Sequence, residues 1–138
     1  MAKIIDVSME IDRTASDDFQ LTVGGTLVLT QQDLNKFNRH GGFLHLQTHV
    51  MDKDKWFDDH VWDKPTTDTL DGPLDVGPTQ FVIDPFIVSP SKVADADPWP
   101  EENVELYVSV RVSPHEVGAV STGWASSDYQ SVKVRSLL

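Results

Sequence analysis

Hydrophobic and polar residues alternate along several short stretches of the chain, and this alternation is its strongest structural signal. A period of two is typical of a β-strand that buries one face and exposes the other. The pattern therefore predicts a protein built mainly from strands. The stretches that share it are 3–12, 19–30, 43–51, 79–89, 104–113 and 129–135.

Glycine and proline interrupt two of these stretches. Gly24-Gly25 predicts a tight turn or a bulge inside 19–30. Asp84-Pro85 predicts a strand that lies at a sheet edge or bends, because proline has no amide hydrogen to donate. The first stretch has no such interruption, and its regular alternation predicts a buried row formed by Ile5, Val7, Met9 and Ile11.

One short helix is predicted between the second and third strands. Thr30 is a suitable N-cap, and Asp33 stands three residues later, as in a capping box. Leu34 and Phe37 would bury one side of the helix, and Gly41-Gly42 would end it.

The segment 64–78 contains three prolines and two glycines and has little periodicity, so it is predicted to be a loop. It is either a binding loop or a segment that covers a sheet edge, and we favour the second because Leu70, Leu74 and Val76 would anchor it. Together these elements predict an all-β fold: a single-domain antiparallel β-sandwich of seven or eight strands, spanning residues 1–138, with one short helix.

The net charge of −11 is concentrated in one region of the chain. Fourteen acidic residues and four lysines lie between Asp52 and Glu105. Such a region repels nucleic acid and anionic lipid, and it favours cations or a basic partner. No stretch reaches the ~20 apolar residues of a membrane span. The first residues do not form a secretory signal, which predicts a cytoplasmic protein or one exported without a cleaved signal peptide.

Two acidic turns are candidate metal sites. Calcium prefers carboxylate and carbonyl oxygens, and an Asp-x-Asp turn offers two of them. In a sandwich, loops far apart in sequence gather at one end, so the two turns could meet there. The opposing interpretation is that these residues are solvated turn formers. The candidate calcium ligands are Asp52, Asp54, Asp58, Asp59, Asp95 and Asp97.

Three tryptophans beside these loops are candidate ligand-binding residues. An indole ring can stack on a sugar while neighbouring carboxylates and amides take its hydroxyls. The alternative is that the same rings anchor loops to the core. The three candidates are Trp56, Trp62 and Trp99.

The histidines give a weaker metal signal. His45 and His49 share a strand face but lie roughly 13 Å apart, which is too far for one ion. His49 could share an ion with Asp52 or His60, although their spacing does not require it.

The sequence contains no nucleophile elbow, no phosphate-binding loop and no cysteine. We therefore predict a non-enzymatic binding or assembly module that uses acidic, tryptophan-bearing loops to bind a carbohydrate or a protein partner, with calcium as a candidate cofactor. One alternative is a self-assembling structural protein that forms homo-oligomers through unpaired strand edges. Another is a small hydrolase that uses acidic residues.

Overall fold

A computed structural model describes residues 1–53, 59–64, 68–95 and 103–133 of the 138-residue chain. The described part contains nine strands and two short helices. The strands are β1 Lys3–Arg13, β2 Phe19–Leu29, β3 Phe43–Asp52, β4 Asp59–Asp63, β5 Asp68–Asp71, β6 Gly77–Val88, β7 Asn103–Ser113, β8 Ala125–Ser126 and β9 Gln130–Lys133. The helices are α1 Gln31–Arg39 and α2 Pro90–Asp95.

The strands form two antiparallel sheets. The smaller sheet has the order β1-β2-β6. The larger sheet is centred on the pair β3-β7. Two short strands, β4 and β5, share the outer edge of β3, and two others, β8 and β9, share the outer edge of β7. This architecture confirms the predicted all-β, sandwich-like fold. It differs in detail, since α2 forms in a segment for which no helix was predicted.

The two sheets share one hydrophobic core. On β3, the side chains of Leu44, Leu46, Thr48 and Val50 are buried, as the alternation predicts. The strand β7 buries every second residue from Val104 to Val112, and β2 does the same from Phe19 to Leu29. The larger sheet therefore has an apolar inner face and a polar outer face.

A β-bulge changes the phase of β1. Two residues, Asp6 and Val7, lie opposite Gly25 of β2, because Ile5 pairs with Thr26 and Ser8 pairs with Gly24. Asp6 adopts a φ of 52°, the left-handed conformation that aspartate tolerates better than most residues. Consequently Ile4 is buried and Ile5 is 38% exposed, so the prediction that Ile5 belongs to the buried row is wrong.

Gly24-Gly25 does not form a turn, and β2 continues through both residues. The space above Gly25 is filled by the ring of Phe81, whose Cζ would lie 2.8 Å from a Cβ added at this position. The absence of a side chain therefore lets an aromatic ring of β6 pack directly against the backbone of β2.

The predicted interruption of β6 is confirmed. Asp84 and Pro85 together lie opposite Thr22, because Ile83 pairs with Val23 and Phe86 pairs with Leu21. In the described part of the smaller sheet β6 is an edge strand, where proline costs no ladder hydrogen bond. A bulge and a proline also make this edge a poor template for pairing with another chain.

The capping box of α1 forms as predicted. The Asp33 backbone amide donates to Thr30 Oγ1 at 3.2 Å, and the Thr30 amide donates to Asp33 Oδ2 at 2.8 Å. The helix ends where Gly41 takes a positive φ and the amide of Gly42 donates to the carbonyl of Phe37, a Schellman arrangement. Phe37 is 1% exposed and fixes the helix against the core.

Residues 68–78, the described part of the predicted loop after Lys64, lie along a sheet edge, but 68–71 and 77–78 belong to strands and not to a loop. The residues Asp68–Asp71 form β5 against β3, with Leu70 opposite Leu44. Leu70 and Leu74 pack against the core, whereas Val76 is 51% exposed and is not an anchor.

Candidate functional site on the outer face of the larger sheet

The structure describes one of the three tryptophans predicted to bind a ligand. The ring of Trp62 is partly buried and stacks on Phe86, with centroids 5.4 Å apart and an interplanar angle of 23°. It therefore joins β4 to β6, as a loop anchor would. Trp56 and Trp99 lie outside the described residues.

Among the six candidate calcium ligands, the side chain of Asp52 is described, and it is buried at the end of β3. Asp54, Asp58 and Asp97 lie outside the described residues, as do the side chains of Asp59 and Asp95. The backbone of α2 lies next to β4. Calcium binding by these residues stays a prediction.

A row of outward-facing side chains follows β7 and its neighbours on the outer face of the larger sheet; those on β7 are half-buried and those beside it are exposed. Ser109 pairs with Ser126, and the same register carried two residues on places Trp124 opposite Arg111. The register of β9 places Tyr129 opposite Tyr107 in the same way. We call the surface formed by Tyr107, Ser109, Arg111, Trp124, Ser126 and Tyr129 the Trp124 face.

Trp124 lies at one end of the Trp124 face. Its ring centroid lies 4.2 Å from that of His49 and 4.5 Å from the guanidinium carbon of Arg111. The Nε of Arg111 donates a hydrogen bond of 2.8 Å to Gln47 Oε1, which fixes the guanidinium beside the ring. Trp124 remains 41% exposed, so part of the indole is accessible to a ligand.

Two tyrosines lie at the other end of the Trp124 face. They line a shallow cavity of about 350 Å³ together with Lys53, Ser126, Ser127 and Asp128. The ammonium of Lys53 lies 3.9 Å from the centroid of Tyr129, which is 49% exposed. Between the two ends, the hydroxyl oxygens of Ser109 and Ser126 are 2.7 Å apart. The face thus presents aromatic rings on either side of paired hydroxyls.

Next to Trp124, two histidines and an aspartate form the His49 cluster, defined as His49, His60 and Asp63. The Nε2 atoms of both histidines contact Asp63 Oδ1, at 2.9 Å from His49 and 2.5 Å from His60. Burial lowers the pKa of His49, and the charge of Arg111 acts in the same direction, against the opposing effect of Asp63. The net effect favours the neutral imidazole of His49 over its protonated form.

The sequence allowed His49 to share an ion with either Asp52 or His60. In the structure the ring of His60 lies next to that of His49, whereas Asp52 is buried on the opposite face of β3. Ser109 lies directly across from His49 on β7. The hydroxyl oxygen of Ser109 lies 2.7 Å from that of Ser126.

The other three histidines lie at the far end of the larger sheet and have structural contacts. His115 stacks on Phe43 with ring centroids 4.2 Å apart, and the ring centroid of His45 lies 5.5 Å from that of His115. The Nε2 of His115 lies 2.8 Å from the carbonyl oxygen of His40, whose own ring contacts Glu116. These contacts tie the C-terminal end of α1 to the loop after β7.

A cleft of about 750 Å³ lies where β5 faces β6. Two of its charged side chains are paired with each other, because Lys64 Nζ donates to both carboxylate oxygens of Asp68 at 2.8 and 2.9 Å, and it also donates to the Asp84 carbonyl at 3.1 Å.

Comparison of the chain with protein-family models, curated proteins and solved structures found no match. Neither helix in the described part of the chain has the length and apolar character required to cross a membrane. The function must therefore be argued from the sheet surface itself.

Proposed function

We propose that this protein is a non-enzymatic binding module and that its ligand is a carbohydrate bound on the Trp124 face. The observation that carries the proposal is the position of Trp124 and Tyr129, two exposed rings on the same sheet face, on either side of the Ser109–Ser126 hydroxyl pair. An aromatic ring stacks on the apolar face of a sugar, and hydroxyls beside it exchange hydrogen bonds with the sugar's own.

The spacing of the Trp124 face suits a chain of sugars better than a single one. The outward residues Arg111 and Tyr107 are four positions apart on β7, a span of roughly 13 Å. Trp124 and Tyr129 stand opposite these two residues. A ligand that contacts both rings must therefore extend along β7 beyond one sugar ring.

The local charge favours a neutral, hydroxyl-rich ligand. Although the chain carries a net charge of −11, this surface combines Lys53 and Arg111 with Asp128. The exposed rings are separated by serines, whereas protein–protein interfaces usually concentrate apolar area at their centre. These features support a carbohydrate over a protein partner.

The alternative of self-assembly through strand edges is less favoured. The edge strand β6 contains Pro78 and a bulge at Asp84-Pro85, and both hinder continuous pairing with a second chain. Light scattering across a range of concentrations would reveal any assembly.

A glycan array followed by calorimetry on the best-bound oligosaccharide tests the proposal. Replacing Trp124 or Tyr129 with alanine should weaken binding by roughly 10- to 30-fold, the effect of losing an aromatic hot spot. Both side chains are well exposed, so far-ultraviolet circular dichroism, which reports the backbone, should show an intact fold. The matched control is Val82→Ala, which truncates a 74% exposed residue of the smaller sheet and should leave affinity unchanged.

Two results would contradict the proposal. One is the absence of any saturable glycan binding. The other is a glycan whose affinity is the same for Trp124→Ala, Tyr129→Ala and the unmodified protein.

A further inference from the structure

The three side chains of the His49 cluster converge although they do not share a regular strand pattern. His60 and Asp63 are three positions apart on β4, and in a regular strand residues at an odd spacing point to opposite faces. A register shift corrects this: Asp63 pairs with His49 and His60 pairs with Met51, which leaves Val61 as an extra residue. The bulge turns both polar side chains to the outer face, a known use of bulges at functional sites.

The nitrogens of the two histidines point at one place. Both Nε2 atoms lie within hydrogen-bonding distance of the same oxygen of Asp63, and the three ligand atoms lie within 4.8 Å of one another. Ligand atoms around a tetrahedral ion with bonds of ~2.0 Å are roughly 3.3 Å apart. A small outward rotation of the Asp63 carboxylate would make room for an ion between the three side chains.

From this convergence we propose that His49, His60 and Asp63 bind a divalent transition-metal ion of the Zn²⁺ type. Two imidazoles and one carboxylate are a ligand set for zinc and similar first-row ions, whereas calcium requires oxygen ligands. The site is distinct from the acidic loops that the sequence nominated for calcium. It also goes beyond the proposed carbohydrate binding, because its ligands lie beside the Trp124 face and do not belong to it.

The surroundings of the site fix one ligand and leave the others accessible. The ring of His49 is held against Trp124, and its side chain is 23% exposed. His60 and Asp63 are 47% and 53% exposed, so an ion could enter from solvent and keep water in its remaining positions. Bound there, the ion would link β3 to β4.

Calorimetric titration of the metal-free protein, prepared without a polyhistidine tag, with ZnCl₂ tests the proposal. We expect saturable binding of one ion per chain, and visible absorption bands of a low-symmetry site when Co²⁺ is used. His60→Gln and Asp63→Asn should each weaken Zn²⁺ binding by about 10- to 100-fold or more. A loss of this size is typical even when the changed residue only hydrogen-bonds a metal ligand. Both positions are exposed enough for the variants to fold.

His45→Gln is the matched control, because His45 lies on the same face of β3, roughly 13 Å from His49. Its Zn²⁺ affinity should equal that of the unmodified protein. Arg111→Gln should bind Zn²⁺ more tightly, since it removes a positive charge next to His49.

The proposal is overturned if the unmodified protein shows no saturable Zn²⁺ binding, or if His60→Gln binds as tightly as the unmodified protein does. Equal losses in His45→Gln and His60→Gln would also overturn it, since they would indicate nonspecific histidine binding. The titration contains no sugar, so its outcome is independent of the carbohydrate proposal.

Discussion

Single residues decide which side chains reach each face of the sheets. In β1, the left-handed conformation of Asp6 moves Ile4 inward and Ile5 outward. In β4, the extra residue Val61 brings His60 and Asp63 to one face. The sequence shows alternation but does not show where a bulge interrupts it, because the bulge depends on the partner strand. This is why the His49 cluster could not be derived from spacing alone.

We predict that Asp6→Val destabilises the protein by about 1–2 kcal/mol, the cost of a left-handed conformation for a residue with an ordinary Cβ, and β-branching adds to it. Asp6→Gly should be nearly neutral, because glycine adopts this φ without steric cost. Urea unfolding monitored by circular dichroism measures both changes.

Asp12→Val is the control for this pair. Asp12 is also exposed on β1 but lies outside the bulge, and valine favours regular strands. Equal destabilisation by Asp6→Val and Asp12→Val would contradict the account of the bulge.

At the scale of elements, local signals were the most reliable. The capping box of α1 was predicted from Thr30 and Asp33 alone, because its hydrogen bonds connect residues three positions apart. The helix α2 lacked such a signal. The role of Trp62 was undecided by sequence, because stacking on Phe86 depends on how β4 packs against β6.

The capping box predicts an acid-dependent loss of stability. Burial would raise the pKa of Asp33, but the hydrogen bonds from Thr30 and the nearby N-terminal amino group outweigh it and hold the pKa below its ordinary value. The unfolded chain therefore binds a proton at higher pH than the folded protein does. Asp33 contributes stability above an unfolded pKa of about 3.9, and this contribution is lost as pH falls through the lower folded value.

We accordingly expect Asp33→Asn and Thr30→Ala each to cost about 1 kcal/mol at neutral pH. Asp33→Asn should also lose less stability than the unmodified protein between about pH 5 and pH 2. Chemical unfolding at a series of pH values measures the difference. Glu10→Gln, an exposed acid outside any cap, should keep the unmodified profile, and an Asp33→Asn profile identical to the unmodified one would refute the explanation.

On the scale of the whole molecule, the two-sheet fold followed from alternation, but the candidate site did not. The Trp124 face and the His49 cluster combine side chains from β3, β4, β7 and β8 with the segments beside them, and those strands become neighbours only through pairings across most of the chain. The net charge of the sequence indicates the acidic loops as a binding region. The Trp124 face, by contrast, has mixed charge and exposed rings.

A largely buried ion pair connects the end of β4 to the start of β5, and its lysine also donates to the Asp84 carbonyl of β6 in the smaller sheet. The side chains of Lys64 and Asp68 are 8% and 12% exposed. Lys64→Met should destabilise the protein by about 3–5 kcal/mol, because it leaves the carboxylate of Asp68 buried without its partner. Lys64→Met combined with Asp68→Leu should lose less stability than Lys64→Met alone, as measured by urea unfolding.

Lys92→Met changes an exposed lysine and should alter stability by less than about 0.5 kcal/mol. Asp68→Leu is also measured alone. If the double variant lost as much free energy of unfolding as Lys64→Met and Asp68→Leu lose together as single variants, the two side chains would not be coupled as an ion pair.

Chemical-shift mapping of the ¹⁵N-labelled protein with the best-bound oligosaccharide tests the central claim most directly. We predict that the backbone amides perturbed by saturating sugar belong to β7 around Ser109 and Arg111 and to the segment from Trp124 to Tyr129. Perturbations confined to the outer face of the smaller sheet, or to the residues lining the cleft between β5 and β6, would contradict the assignment of the Trp124 face as the binding surface.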